Sequence, residues 1–310
     1  MLKKLFGLGA KKDEGNKKEL LPEAIRKSIL HSFGLKSVPI MPGVAQQAFM
    51  LATNPNAEAH DYIEVLEADE GLSARILKIA NSVFYDRGGG SRTIADAVNV
   101  VGLSELKNLL NATALSNLFP VRHHLRASFW THNIATALTA RVLSRSVYPS
   151  SADQAFLAGL MHDIGKLLML QQHVDNYERV LRKGLADGID SVSAEVQVYP
   201  FAHTHVGQML AERWNFSQDL YDVIGGHHQP WEDIPQGSLT GLIKVSNIIV
   251  HASGLEAGRD TASYKRIYHP LLEQAWEFLG ISAKDQRQLI QDAARDFDSE
   301  YQLYESWGRS

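Results

Sequence analysis

The sequence contains no cysteine, which excludes disulfides, thiolate zinc sites and cysteine nucleophiles together. No apolar run approaches the ~18 residues that a membrane-spanning helix requires. Sustained apolar–polar alternation, the mark of a half-buried strand, is missing, as is any repeat of fixed period. Net charge is small: 31 Lys and Arg against 35 Asp and Glu leave −4, so the chain offers no broad electrostatic footprint for nucleic acid. With 45% hydrophobic and 21% charged residues over 310 positions, what remains is a globular chain long enough to bury a large core. Its composition fits a reducing cytoplasm.

What is present reads as helix almost throughout. Residues 1–20, "MLKKLFGLGAKKDEGNKKEL", carry a short apolar cluster among six lysines. The cluster is too short for a secretory core, so a flexible basic tail is expected. After it, "LPEAIRKSILHSFG" has Pro22 and Glu23 at a helix start and Gly34 at its end. Further helices are expected with breaks near Gly71 and Gly102, the latter capped by Ser104, and one unbroken helix from Ala152 to Gln171. The β-branched stretch "DSVSAEVQVY" reads as a loop running into helix. The expected fold class is all-α.

Within that unbroken helix lies "LAGLMHDIGKLLML", where His162, Asp163 and Lys166 interrupt an apolar pattern. Burying them is costly unless each finds a partner. An adjacent His and Asp can both reach one cation, and Lys166, a turn on, can hold a phosphate oxygen beside it. An Asp163–Lys166 ion pair with a hydrogen-bonded histidine explains the same residues. Other histidines shift the balance. His132 lies on the alanine-rich side of "SFWTHNIATALTARVL"; His203 and His205 open a helix with Gly207; His227 and His228 stand where a helix stops before Pro230. His123 and His124, after Pro120, read as solvated.

Together these stretches resemble the HDOD family of the HD superfamily, which also holds metal-dependent phosphohydrolases and the HD-GYP phosphodiesterases. The resemblance rests on "PIMPGVAQQAF", "DEGLSARILKIANSVFY" and "TIADAVNVVGLSELKNLL" in the first half. In the second it rests on "FWTHNIATA", "AGLMHDIGKL", "HVGQMLAERWNFSQDLYDVIGGHHQP" and "IKVSNIIVHA". It implies a multi-helix HD-type bundle over residues 21–253, split into an N-terminal helical lobe at 21–120 and an HD-like lobe at 121–253. A helical extension follows at 254–310. Carried over residue by residue, it assigns His132, His162 and Asp163 to a primary metal position. His205 with His227 or His228 would line a second position bridged by Asp163, and Lys166 would stand near substrate phosphate. The implied cofactor is a divalent metal (Zn, Fe, Mn or Mg).

Two departures stand out. The superfamily's last ligand is an aspartate on a late helix, and here "LIKVSNIIVHA" has Asn247 in that place. A neutral amide oxygen is a weaker donor than a carboxylate, so metal is expected to be weak or absent. The HH pair is followed by "HHQPWEDIPQGS", with neither the glutamate nor the Gly-Tyr-Pro loop of the HD-GYP enzymes. Both departures point away from hydrolysis. A purely structural hydrogen-bonded cluster of these histidines and Asp163 is the third possibility. The leading expectation is a bacterial signal-transduction module that works by binding a protein partner, a nucleotide or a cyclic dinucleotide. Arg75, Lys78, Arg87 and Arg92 beside Phe84 and Tyr85 offer one such surface. The alternative is a metal-dependent phosphohydrolase in which Asp163 and Lys166 are catalytic.

Overall fold

A computed structural model describes residues 21–308 apart from 35–38, 42, 55, 83, 86–88, 120–122, 149–151 and 256–260. The expected basic tail and Arg87 lie outside the described residues. Every regular element among those described is helical, and none of these helices is long and apolar enough to cross a membrane.

The first part of the chain supplies α1 (Glu23–Phe33), α2 (Gly43–Thr53), α3 (Ala59–Glu67), α4 (Glu70–Ala80), α5 (Ile94–Val101) and α6 (Leu103–Leu118). Gly34 ends α1 with φ 86°, the left-handed region that glycine enters without strain. Asp69, two residues before the expected break at Gly71, caps α4 by accepting from Leu72 N–H at 3.0 Å. Ser104 does not cap α6. That helix starts at Leu103 after Gly102, and the Ser104 hydroxyl instead donates to Asp153 at 2.5 Å.

Then comes α7 (His124–Val147), the axis of the molecule. Around it pack α8 (Ala152–Met161), α14 (Leu239–Ser253) and α17 (Ala283–Gly308). Between α8 and α14 run α9 (Ile164–Gln172), α10 (Val174–Asp187), α11 (Ser191–Glu195), α12 (His203–Arg213) and α13 (Gln218–Gly226). α15 (Thr261–Tyr268) and α16 (Leu272–Leu279) precede α17 and rest on α14.

Every residue of α7 from Phe129 to Ser144 is buried, polar ones included. Its apolar side chains supply the usual ~1.5–3 kcal/mol each on burial, but a helix enclosed on all sides must also satisfy its polar groups. The Arg141 guanidinium donates to Glu105 of α6 at 3.0 Å and to Glu300 of α17 at 2.6 Å. Trp130 donates its indole N–H to the Tyr304 carbonyl at 2.9 Å. The C-terminal helix therefore packs back on the body as a core element. Alanines on α7 let neighbours come close: a Cβ on Gly159 of α8 would lie 2.7 Å from Ala137 Cα.

The expected helix from Ala152 to Gln171 is broken. α8 ends at Met161, α9 begins at Ile164, and Asp163 takes φ −102° and ψ 18° between them. Leu157, Leu160, Met161, Ile164, Leu167 and Leu168 are all buried, so the apolar periodicity runs through the break and conceals it.

Candidate metal centre

The turn between α8 and α9 presents His162 and Asp163 to the interior together, and four elements meet it. α7 contributes His132, α9 contributes Lys166, α12 opens with His203, and the end of α13 supplies His227. Asp163 is the common point. Its Oδ2 faces Lys166 Nζ at 2.5 Å, His162 Nε2 at 3.4 Å and His132 Nε2 at 3.5 Å. Its Oδ1 faces His203 Nε2 at 3.0 Å and His227 Nε2 at 3.5 Å. Two donor groups result: His132, His162 and Asp163 on one side, and Asp163, His203, His227 and His228 on the other. Exposure is 0% at His132, His162 and His203, and 1% at Asp163 and His227.

For His162, His227 and His203, hydrogen bonds on the far side of the ring fix which nitrogen carries a proton. His162 Nδ1 lies 2.7 Å from the Gly159 carbonyl and His227 Nδ1 lies 3.0 Å from the Val223 carbonyl. A carbonyl only accepts, so both Nδ1 atoms donate and both Nε2 atoms carry a lone pair in the neutral ring. His203 Nδ1 donates to Glu195 Oε2 at 2.7 Å, and the same oxygen accepts the His203 backbone N–H at 2.7 Å. Tyr177 O–H completes Glu195 at Oε1, 2.6 Å away. A carboxylate or carbonyl behind each of these three imidazoles is the arrangement that orients histidine toward a metal and raises its basicity.

Protonation follows the same layout. Burial would raise the Asp163 carboxyl, but His162, Lys166 and His203 around it hold it well below the usual carboxylate value. Burial holds His162 well below the usual imidazole value and lowers His227 too, against the pull of Asp163. His203 moves the other way: burial opposes its charge, yet Glu195 and Asp163 outweigh that and raise it. Neutral imidazole lone pairs at His162 and His227 thus converge on an ionised carboxylate. His132 Nε2 lies 3.3 Å from His162 Nε2, and His203 Nε2 lies 3.5 Å from His227 Nε2. In each pair one ring donates its Nε2–H to the lone pair of the other, and the same nitrogens can instead turn their lone pairs on a shared cation. His228 Nε2 is likewise buried and makes no hydrogen bond among the described residues. The donor set fits a divalent cation, with imidazole nitrogen and carboxylate oxygen suiting zinc, iron or manganese better than magnesium.

His205 does not belong to this centre. It is half-buried, and its Nδ1 accepts the Ala202 N–H at 3.0 Å at the start of α12. His203 takes the expected place, because residues two apart on a helix point some 200° from one another. Three buried groups escape the reading of the sequence: His203 as a member of the centre, Glu195 behind it, and His251. The His251 ring stacks on that of His132 at 4.4 Å between centroids and 15° between planes. Asn247, one turn before His251 on α14, is 2% exposed, and its Oδ1 accepts no hydrogen bond among the described residues. His123 and His124 stand apart from the centre near Glu178.

A model of the HDOD domain matches residues 38–230, more than half of the chain. The chain belongs to the HDOD family. A protein of Marinobacter aquaeolei VT8, named provisionally for signal transduction, superposes with a TM-score of 0.77 at 22% identity, over 93% of this chain and 66% of that one. A provisionally named phosphohydrolase of Shewanella amazonensis SB2B superposes with a TM-score of 0.66 at 22% identity, over 93% of this chain and 97% of that one. At such identities the likeness is one of fold. An uncharacterized protein of Treponema pallidum (strain Nichols) is 23% identical over 199 residues, and this chain spans 63% of itself but only 38% of that relative. The HDOD match ends at residue 230, so Asn247 and His251 lie beyond it.

Proposed function

We propose that this HDOD protein is a signal-transduction module whose histidine–aspartate centre serves binding and regulation rather than hydrolysis. The observation that carries this reading is enclosure. Asp163 and the rings of His132, His162, His203 and His227 are at most 1% exposed, and Lys166 Nζ sits 2.5 Å from Asp163 Oδ2. A phosphodiester must bring its phosphorus to the metal and admit a nucleophile, and the centre, closed as it stands here, gives it no path. With Lys166 on Asp163 and Asn247 in place of an aspartate, the chain holds less negative charge for a dication than a two-carboxylate site would. Signalling output then rests on a protein partner, a nucleotide or a cyclic dinucleotide bound elsewhere on the helical body, in the bacterial cytoplasm.

The convergence of Nε2 lone pairs favours a second reading, a metal-dependent phosphohydrolase. His132, His162 and Asp163 would hold one ion, and His203, His227 and His228 with Asp163 another. Such ions supply Lewis-acid polarisation of a phosphoryl oxygen and acidify water. Here the chain's own contribution would be Lys166, neutralising phosphate charge.

One experiment separates the two. The full chain is loaded with Mn²⁺, Fe²⁺ or Zn²⁺, its metal content measured, and a nucleotide phosphomonoester and a cyclic dinucleotide are supplied in turn. The regulatory reading expects no turnover above that of Asp163→Asn. Steady turnover abolished by Asp163→Asn overturns it.

A further inference from the structure

The centre is sealed, yet any ion it takes must enter, so some element has to move. The aromatic stack behind His132 identifies which. The His251 ring lies against His132 at 4.4 Å and against Tyr268 of α15 at 4.2 Å, with interplanar angles of 15° and 26°. Tyr264, one turn earlier on α15, lies 5.0 Å from His251 at 14°. A column of flat rings thus leads from the primary donor group to α15, a helix that follows the stretch matched by the family model.

α15 is anchored mainly through Tyr268, with Tyr264 and Ile267 partly buried against the core. Tyr268 is its one buried residue among those described, at 3% exposed, while Ala262, Lys265 and Arg266 face solvent. The helix packs on α14 and on the 3-10 turn His269–Leu271 that follows it. By contrast α7, α8 and α9 carry buried residues on every turn. With a single fully buried residue among those described, α15 opens at less cost than α7, α8 or α9.

We propose that α15 is a strap, pinned by Tyr268 on His251, that closes the primary donor group of His132, His162 and Asp163. When the strap lifts, His251 loses its outer neighbours and its ring is free to swing off His132, uncovering that side of the group. His251 is a positioning residue: it touches His132 and no expected ion. Occupation of the centre and docking of α15 are then coupled, because an ion that fixes the His132 ring favours the docked stack. The regulatory half of this inference rests on the metal reading above; the closure itself does not.

The test follows this distinction. Full-length protein, metal-free, is treated with diethyl pyrocarbonate, and carbethoxylation of His251 and His132 is followed by peptide mass spectrometry, beside amide hydrogen exchange of α15. Tyr268→Ala is expected to raise the modification rate of both histidines at least tenfold, His251 ahead of His132, with the unfolding midpoint of the body little changed. Tyr268→Phe keeps the stack and should behave as native. Unchanged modification in Tyr268→Ala while α15 has lost exchange protection overturns the closure, as does exchange of α15 only with global unfolding. Zn²⁺ release to a chromophoric chelator is the second arm, with Tyr268→Ala expected to release at least tenfold faster at equal stoichiometry. Native protein that binds no Zn²⁺ overturns the metal reading and the coupling, while the modification rates still decide the strap.

Discussion

Lys166 and Asp163, three residues apart across the start of α9, form a buried ion pair with Nζ 2.5 Å from Oδ2. Their side chains are 5% and 1% exposed. The carboxylate shared by both donor groups is thus compensated by a cation of the chain itself. This predicts that Lys166→Met destabilises the metal-free protein by on the order of 3 kcal/mol, the usual cost of leaving one buried charge unpaired. It also predicts that the variant gains more from metal than the native chain, since a dication can take over the compensation. Thermal unfolding of both proteins with and without Zn²⁺ measures this, and equal metal-induced shifts would contradict it.

Glu195 holds His203 by its ring and its backbone N–H, each at 2.7 Å. Glu195→Gln keeps the shape and removes the charge that raises the His203 pKa. The imidazole should then titrate lower, and metal affinity on the side of His203, His227 and His228 should fall about 10- to 100-fold, as is usual for groups behind a ligand. Histidine NMR titration and calorimetry with Zn²⁺ check the two effects separately.

These residues also show where the sequence was legible. Helical periodicity exposed the all-α fold, because apolar faces at helical spacing leave little room for a sheet. His132, His162, Asp163, Lys166 and His227, which the packing brings together, were legible because each stands in a motif with its own local signature. Which of His203 and His205 faces the centre depends on where α12 begins, and boundaries are the least determined feature of a sequence. Glu195 sits on α11, a helix of 5 residues, too short to show any period. His251 passes for an ordinary residue of an apolar helix until α15 folds onto it.

The contact of α9 with α12 has its own consequence. A Cβ on Gly165 would lie 2.0 Å from the His203 carbonyl oxygen, a backbone atom with no freedom to retreat. Gly165→Ala should therefore push α9 and α12 apart, at a cost of about 1–3 kcal/mol or more, the usual range for overpacking. Since His203 opens α12, loss of metal binding should accompany loss of stability. A denaturant midpoint equal to that of the native protein would show that the two helices have slack.

Away from the centre, Glu300 faces Arg141 in company with Glu105 and Asp296. Burial and then Glu105 raise its pKa from 4.5, while Arg141 opposes them. An acid whose folded pKa is raised contributes most below its unfolded value and loses that contribution as pH climbs through the folded one. Glu300→Gln removes this dependence but keeps a hydrogen-bonding group beside Arg141. The stability of the variant relative to the native chain should accordingly improve as pH rises from about 4.5 towards neutrality. Unfolding midpoints of both proteins across that range give the answer, and a difference independent of pH would refute the assignment.

Asn247 decides how much of the metal chemistry the chain retains. It is buried on α14, one turn before the His251 that stacks on His132, and its Oδ1 accepts no hydrogen bond among the described residues. Asn247→Asp exchanges an amide for a carboxylate of nearly equal volume, so packing is preserved and charge alone changes. In the metal-free protein the new carboxylate is enclosed without a cation, and the variant should be less stable than the native chain. Addition of Zn²⁺ or Mn²⁺ should reverse the order, because an ionised oxygen compensates a dication where an amide cannot. An affinity gain of at least tenfold, about 1.4 kcal/mol, is expected. Calorimetry on both proteins tests the affinity and thermal unfolding tests the reversal. A variant that is destabilised equally with and without metal would place Asn247 outside the reach of the ion and remove the charge argument against hydrolysis.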